Sequence, residues 1–295
     1  MKPSFGEKIF YAVNNLVLFF AALSCLLPLL YIVATSLSSG DAITTGKVYV
    51  WPVDFTWAAY EVLMKATRLP DYFVNSVVVT VIGTSLSLTL SILCAYPLSK
   101  KNLMGRKKIT FFVVFTMLFS GGIIPHYLLV KSLGLMNSYW ALWLTSLISP
   151  YNMLIMKAFF ENISEELDDA ARIDGCTEVR ILIQIYLPLS QAVIATLSLF
   201  YGVAYWNMFL KVLMYISDTK RFTLPVLIQQ MIFQLNQQVN INGNPELSAV
   251  SDADKVITES VKSAGVVVLI VPMLLVYPLL QKYFVKGVML GAVKG

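Results

Sequence analysis

Residues 168 to 176 read Asp-Asp-Ala-Ala-Arg-Ile-Asp-Gly-Cys, so three carboxylates and one guanidinium surround a pair of alanines and end at a glycine. Charges around so small a face suit a docking surface that a partner protein can grip; the alternative is a solvated loop. No catalytic constellation competes for the role. The one histidine, His126, stands beside Pro125 with no metal-ligating neighbours, which favours a polar contact over a ligand or a pH switch. Three cysteines, Cys25, Cys94 and Cys176, are scattered and show neither metal-ligand spacing nor a disulfide framework. The phosphate-cradling pattern Gly-x-x-x-x-Gly-Lys-Ser/Thr is absent.

A second group is made of rings and amides. Tyr201, Tyr205, Trp206 and Asn207 fall on one stretch, and Asn75 and Ser76 on another. Aromatic rings stack on ring-shaped solutes and amides bond hydroxyls, so Asn75, Tyr201, Tyr205, Trp206 and Asn207 are candidates for a substrate path. The competing reading is helix packing with an aromatic belt at the membrane boundary. Lys211 follows close behind. It either snorkels to the interface or meets an acidic solute such as a carboxylate.

The elements that must position these residues are membrane helices. Hydrophobic residues make up 57% of the chain and charged ones 13%, with a mean hydropathy of +0.71. Six apolar runs approach the length that spans a bilayer as helix: about 10–36, 72–98, 109–130, 140–160, 189–216 and 263–281. The fold class expected is an all-α membrane protein with six transmembrane helices. The second run is rich in Val, Ser and Thr; its length decides for helix, and its small residues suit close packing in lipid. The first is too long for a signal peptide and lacks a clean cleavage site, so it reads as a retained helix. Pro28, Pro97 and Pro272 are candidate kinks, and Gly121-Gly122 suits a loosened helix end.

Basic residues set the expected orientation. The stretch from Lys100 to Lys108 holds four lysines and one arginine, which places that connection in the cytoplasm. Six spans then put both termini inside, the segments 37–71 and 217–262 outside, and the connection 161–188 inside. The net charge of +5 is thus mainly a topology signal rather than evidence for nucleic acid. Locally the polar stretch reads as a short helix. Ser164 is a good N-cap, acids at 165, 166, 168 and 169 suit a helix start, and Gly175 can close it in a left-handed cap.

This stretch resembles the "EAA" loop of the membrane subunits of bacterial ABC importers: Glu-Ala-Ala, three residues, Gly, nine residues, then Ile-x-Leu-Pro. Asp169, Ala170, Ala171, Gly175, Ile185, Leu187 and Pro188 stand at every spacing, with Asp169 replacing the leading glutamate. The extended form Ala-Ala-Arg-Ile-Asp174-Gly looks like the carbohydrate, maltose permease-like branch. The stretch 119–142 and the C-terminal tail resemble the LplC/YtcP oligosaccharide permease type.

The resemblance implies a type I (MetI-like) transmembrane fold, with residues 1–295 as a single transmembrane domain and 165–188 as the coupling loop. It implies a multi-pass permease subunit of a bacterial cell membrane, not itself an enzyme, importing sugars or oligosaccharides by alternating access. Asp169, Ala170, Ala171, Asp174, Gly175, Ile185, Leu187 and Pro188 would then couple it to a separate ATPase. The implied partners are a homologous second permease, a dimeric ABC ATPase carrying ATP and Mg, and an extracytoplasmic solute-binding protein. No cofactor or metal is expected on this chain. The tail from Lys286 to Gly295, with three glycines, is expected to stay extended and to slot between the ATPase subunits. The amide-rich stretch 234–255 in the outer segment is a candidate contact for the binding protein. A permease for another solute, or an ATP-independent secondary transporter, are the alternatives; the latter normally carries charges within its spans.

Overall fold

The computed structural model describes residues 5–66, 68–119, 121–241 and 252–291. Among them there are helices and loops and no strand. The order begins with α1 (Phe5–Ser36), α2 (Gly40–Thr44), α3 (Ala58–Ala66), α4 (Leu69–Ser99), α5 (Arg106–Leu118) and α6 (Ile123–Ser132). It continues with α7 (Tyr139–Leu144), α8 (Pro150–Glu161), α9 (Glu165–Ile173) and α10 (Glu178–Ile181), then a π-helical turn over Leu182–Tyr186. After it come α11 (Leu187–Leu189), α12 (Gln191–Trp206), α13 (Leu210–Tyr215), α14 (Leu224–Ile241) and α15 (Asp252–Gly291).

Among the described residues, three helical stretches are long and apolar enough to cross a membrane: Phe5–Ser36, Leu69–Ser99 and Glu259–Pro278. The pairs α5 with α6, and Glu178–Leu189 with Gln191–Trp206, raise the number to five if each bent pair is one span. The expected third, fourth and fifth spans are therefore not continuous helices. The third stops at Leu118 and restarts at Ile123, after Gly122 with φ +83°. The fourth is split between α7 and α8. Ser149 caps the second piece by accepting from the Asn152 N–H at 3.4 Å, and Pro150 occupies its first turn, where a missing N–H costs nothing. The fifth breaks after Trp206, where the Asn207 side chain turns back to donate to the Val203 carbonyl at 3.1 Å. Breaks of this kind survive at membrane depth only where protein groups take up the freed backbone. Here the Ser149 N–H donates to the Tyr201 hydroxyl at 3.0 Å, and Lys211 Nζ donates to the Thr145 carbonyl at 3.0 Å.

Two further expectations are corrected. Helix α15 continues through Lys286 and Gly287 to Gly291, so that part of the tail is helical rather than extended. Extending an existing helix adds a bond per residue without the nucleation penalty, which outweighs the low propensity of two glycines. Residues 292–295 lie outside the described ones. The segment 217–262 is not one loop, since α14 and the first turns of α15 occupy much of it. Of the amide-rich stretch within it, residues 242–251 are outside the described ones.

Backbone contacts group the chain into two compact units, residues 1–69 with 228–271, and residues 70–227 with 272–295. In the first, a small core of Ala34, Ala42 and Val48 closes over the turn after α1. Ser38 pins that turn by donating to the Ala34 carbonyl at 2.6 Å and accepting from the Val53 N–H at 3.0 Å. The second unit holds the candidate coupling and substrate-path residues.

Candidate functional site

Helix α9 is built as its sequence implies. Ser164 accepts from the Glu166 N–H at 3.3 Å, and Glu165, Glu166 and Asp168 occupy the first turn, where the helix dipole favours negative charge. At the other end Gly175 adopts φ +75°. Its N–H donates to the Arg172 carbonyl at 3.0 Å, and the Cys176 N–H reaches the Ala171 carbonyl at 2.9 Å, the double bond pattern of a Schellman cap. Only glycine takes this left-handed conformation without steric cost. The space where its side chain would be is open, and no described residue fills it.

The structure divides the alanine pair. Ala171 is buried at 6% exposure, packed with Ile181, Leu182 and Tyr186, so it belongs to this chain's own core. Asp169, Ala170, Asp174 and Gly175 face outward, joined by Ile173 at 86% exposure. An outward face that includes Ala171 is thus replaced by one that includes Ile173. Past the cap, Ile185 and Leu187 are half-buried and Pro188 is exposed. The π-helical turn just before Leu187 shifts the register of the helix so that Tyr186 points inward, at 3% exposure.

What fastens α9 is a charged cluster at the end of α4. Lys100 forms an ion pair with Asp168, itself 7% exposed, and donates to the Tyr186 hydroxyl at 2.8 Å. That hydroxyl in turn donates to Asp168 Oδ2 at 3.1 Å. The ammonium also lies over the rings of Tyr96 and Tyr186, 4.5 and 4.1 Å from their centroids, a cation–π arrangement. Tyr96 extends the network by donating to Glu178 Oε2 at 2.8 Å, and Glu178 pairs with Arg172. Lys101 meets Glu165 at 3.0 Å, while Arg106 and Lys157 both pair with Glu161. The basic stretch 100–106, legible in sequence as a topology signal, is also the clamp on the acidic loop. The sequence reading missed Asp168, Lys100, Tyr96 and Tyr186 in this role. A signal was available: Asp168 lies three residues before Ala171, hence on the same helix face.

The aromatic candidates are placed differently. Tyr201, Tyr205 and Trp206 are buried at 3%, 2% and 3% exposure. Tyr201 shares a hydrogen bond with Ser91 at 2.6 Å, and Tyr205 one with Ser87 at 2.9 Å. Gly83 completes the stripe: a β-carbon there would lie 2.6 Å from the Tyr205 ring. Gly83, Ser87 and Ser91 recur every four residues, so they form one face of α4, small enough for two tyrosines of α12 to seat against it. Trp206 meets Phe73 edge-on at 6.0 Å. Asn75 donates to the carbonyls of Lys220 and Phe222 at 2.8 and 2.9 Å, and Ser76 accepts from the Leu224 N–H at 2.7 Å. Asn75 and the three rings therefore spend most of their polar and apolar capacity inside the chain. Asn207 is exposed. With the edges of Tyr201 and Tyr205 it lines an open groove of about 1190 Å³ between the 146–152 segment and the 199–211 segment.

Sequence comparison decides the family. The profile described as "Binding-protein-dependent transport system inner membrane component" matches residues 3–290. The chain belongs to that family. This inner membrane component is 42% identical over 274 residues to the polygalacturonan/rhamnogalacturonan transport system permease protein YtcP of Bacillus subtilis (strain 168), covering 93% of this chain and 94% of the relative. It is 39% identical over 288 residues to Protein LplC of the same organism, covering 98% and 96%. Among solved structures it matches a chain of a bacterial ABC transporter involved in the import of the acidic polysaccharide alginate, at TM-score 0.84 and 32% identity, over 96% of this chain and 99% of that one. The all-helical fold is accordingly that of ABC importer permeases.

Proposed function

We propose that this inner membrane component is the membrane-spanning permease of an ATP-driven importer of sugars or oligosaccharides. The observation that carries the reading is α9 with its left-handed cap. It presents Asp169, Ala170, Ile173, Asp174 and Gly175 outward, while the Lys100–Asp168–Tyr186 cluster holds it rigidly to α4. A short exposed helix tied to a long apolar one transmits force rather than absorbing it. In this reading α9 is the coupling helix, docked into an ATPase subunit that carries ATP and Mg, and this chain binds neither.

The other parts follow from the same reading. The chain acts as a single transmembrane domain that crosses the membrane six times, with the broken pairs α5–α6, α7–α8 and α12–α13 each counted as one crossing. Both termini and α9 lie in the cytoplasm, consistent with the lysines and arginine at 100–108. Closing of the ATPase dimer rocks the spans between inward- and outward-open states around a central path. A solute-binding protein delivers the substrate from outside. The named substrates of YtcP and of the alginate transporter support the sugar class. One chain offers one coupling helix and an ATPase dimer needs two, so the second comes from a homologous permease.

Purification of the complex in mild detergent, followed by native mass spectrometry, tests this. The expected particle holds one copy of this chain, one related permease and two ATPase subunits. A chain that purifies alone and transports without ATP would leave an ion-coupled transporter as the reading; two identical copies of this chain would remove the heterodimer.

A further inference from the structure

The groove between the 146–152 and 199–211 segments contains a cation where any hydrogen-bond donor would serve the freed Thr145 carbonyl. Its walls are apolar and aromatic, with Phe200, Phe209 and Tyr151 prominent, and its lining includes the amides Asn152 and Asn207. Lys211 is the one charged residue among those lining it. The ammonium donates to the Thr145 carbonyl at 3.0 Å and to Ser146 Oγ at 2.6 Å. Neither partner is a carboxylate, and among the described residues no acidic side chain comes within ion-pair distance of Lys211. Of three N–H donors, two are placed by the end of α7 and one is left over, held at a fixed position in the groove.

A lysine half-buried in an apolar membrane groove without a counter-ion is costly, because its charge is taken from water and two neutral acceptors offset that only in part. A glutamine could bond the Thr145 carbonyl from the same place without the cost of a charge. The lysine makes physical sense if an anion arrives to pair with it. The surroundings specify what kind: rings for sugar faces, amides for hydroxyls, and one fixed ammonium for a carboxylate.

We infer that Lys211 recognises the carboxylate of a uronate residue, making the groove selective for acidic over neutral oligosaccharides. This rests on the sugar-importer reading above. The spare N–H donates to the carboxylate while the end of α7 holds the ammonium in place. The rings and amides accept any pyranose, so the charge supplies the discrimination.

The test is uptake of trigalacturonate and of its methyl ester by cells carrying the complete transporter, a pair that differs by charge at nearly constant shape. The binding protein is common to all strains, so the change in the acid-to-ester ratio between variants isolates the permease. Wild type is expected to prefer the acid. Lys211→Gln should lower acid uptake by about tenfold to a hundredfold, the range for a hydrogen bond to a charged group, and leave the ester within about twofold. Lys211→Arg should keep most of the preference. Equal effects of Lys211→Gln on acid and ester, or none on either, would reduce Lys211 to a packing peg and overturn the inference.

Should Lys211→Gln import neither sugar, Ser146→Ala decides, since it removes a protein partner of the ammonium and leaves the charge. A retained acid preference in Ser146→Ala supports recognition, and loss of both sugars supports the peg. Wild-type cells that take up the ester as well as the acid overturn the inference alone. Wild-type cells that take up neither also overturn the inference, while the sugar-importer reading stands or falls by the composition of the purified complex.

Discussion

Two tyrosine-based joints tie α4 to the segment that carries α9 and α12, and they are made of different chemistry. At the end of α4, Tyr96 and Tyr186 enclose a lysine and an aspartate, and every polar contact involves a charge. Along the middle of α4, Tyr201 and Tyr205 meet Ser91 and Ser87, and no charge is involved. Burying an ion pair in hydrocarbon costs several kcal/mol per ion before any gain, whereas a hydroxyl pair costs far less and is still worth making where no water competes. Charge is therefore used where the span ends and neutral hydroxyls where it runs through lipid. The charged joint gives orientation to α9; the neutral one gives closeness between helices.

Breaking the charged joint should have the largest effect on stability. Lys100→Met leaves Asp168 buried without its cation, which should cost about 3–5 kcal/mol, whereas the double change Lys100→Met/Asp168→Leu should recover most of that. Thermal unfolding of the purified complex checks both. A single variant as stable as the double one would show that the pair is surface decoration.

The neutral joint should be less costly to disturb but less forgiving of volume. Gly83→Ala places a methyl 2.6 Å from a buried ring held by its hydrogen bond to Ser87, and should cost about 1–3 kcal/mol through overpacking. Combining it with Tyr205→Leu should relieve the clash. A Gly83→Ala protein with unchanged melting behaviour would mean that α4 and α12 slide easily.

The smallest change in stability belongs to the exposed rim of α9, where the two joints predict opposite things for function. Gly175→Asp should cost on the order of 1 kcal/mol for a left-handed non-glycine residue, since the space around it is open. Yet it should abolish ATPase co-purification and transport, because it adds bulk and charge to the docking face. Asp169→Glu should leave both unchanged. Normal transport by Gly175→Asp at normal membrane levels would make residues 168–176 a loop and nothing more.

Much of this was legible before any coordinates. The α9 helix follows from Ser164, the early acids and Gly175, all of which act within one or two turns. Membrane character follows from composition, and the family from seven spaced residues. The breaks after Leu118 and after Leu144 were partly announced by Gly121-Gly122 and Pro150, whereas the one after Trp206 had no glycine or proline to mark it. The helical tail was misjudged because propensity was read without the long helix that precedes it.

The sequence by itself determined what local forces determine: apolar lengths, caps, and the pattern Asp169-Ala170-Ala171 with Gly175 and Leu187-Pro188. Tertiary structure alone decided which of those residues turn outward. Ala170 and Ala171 are identical in type and adjacent, yet one faces out and the other lies in the core, because Lys100, sixty-eight residues before Asp168, fixes the rotation of the helix. It likewise decided that Tyr201 and Tyr205 commit their hydroxyls to serines of α4 while Lys211 keeps a donor to spare. Capping and periodicity act between neighbours in the chain, whereas the direction a side chain faces is set by whatever distant segment packs against it.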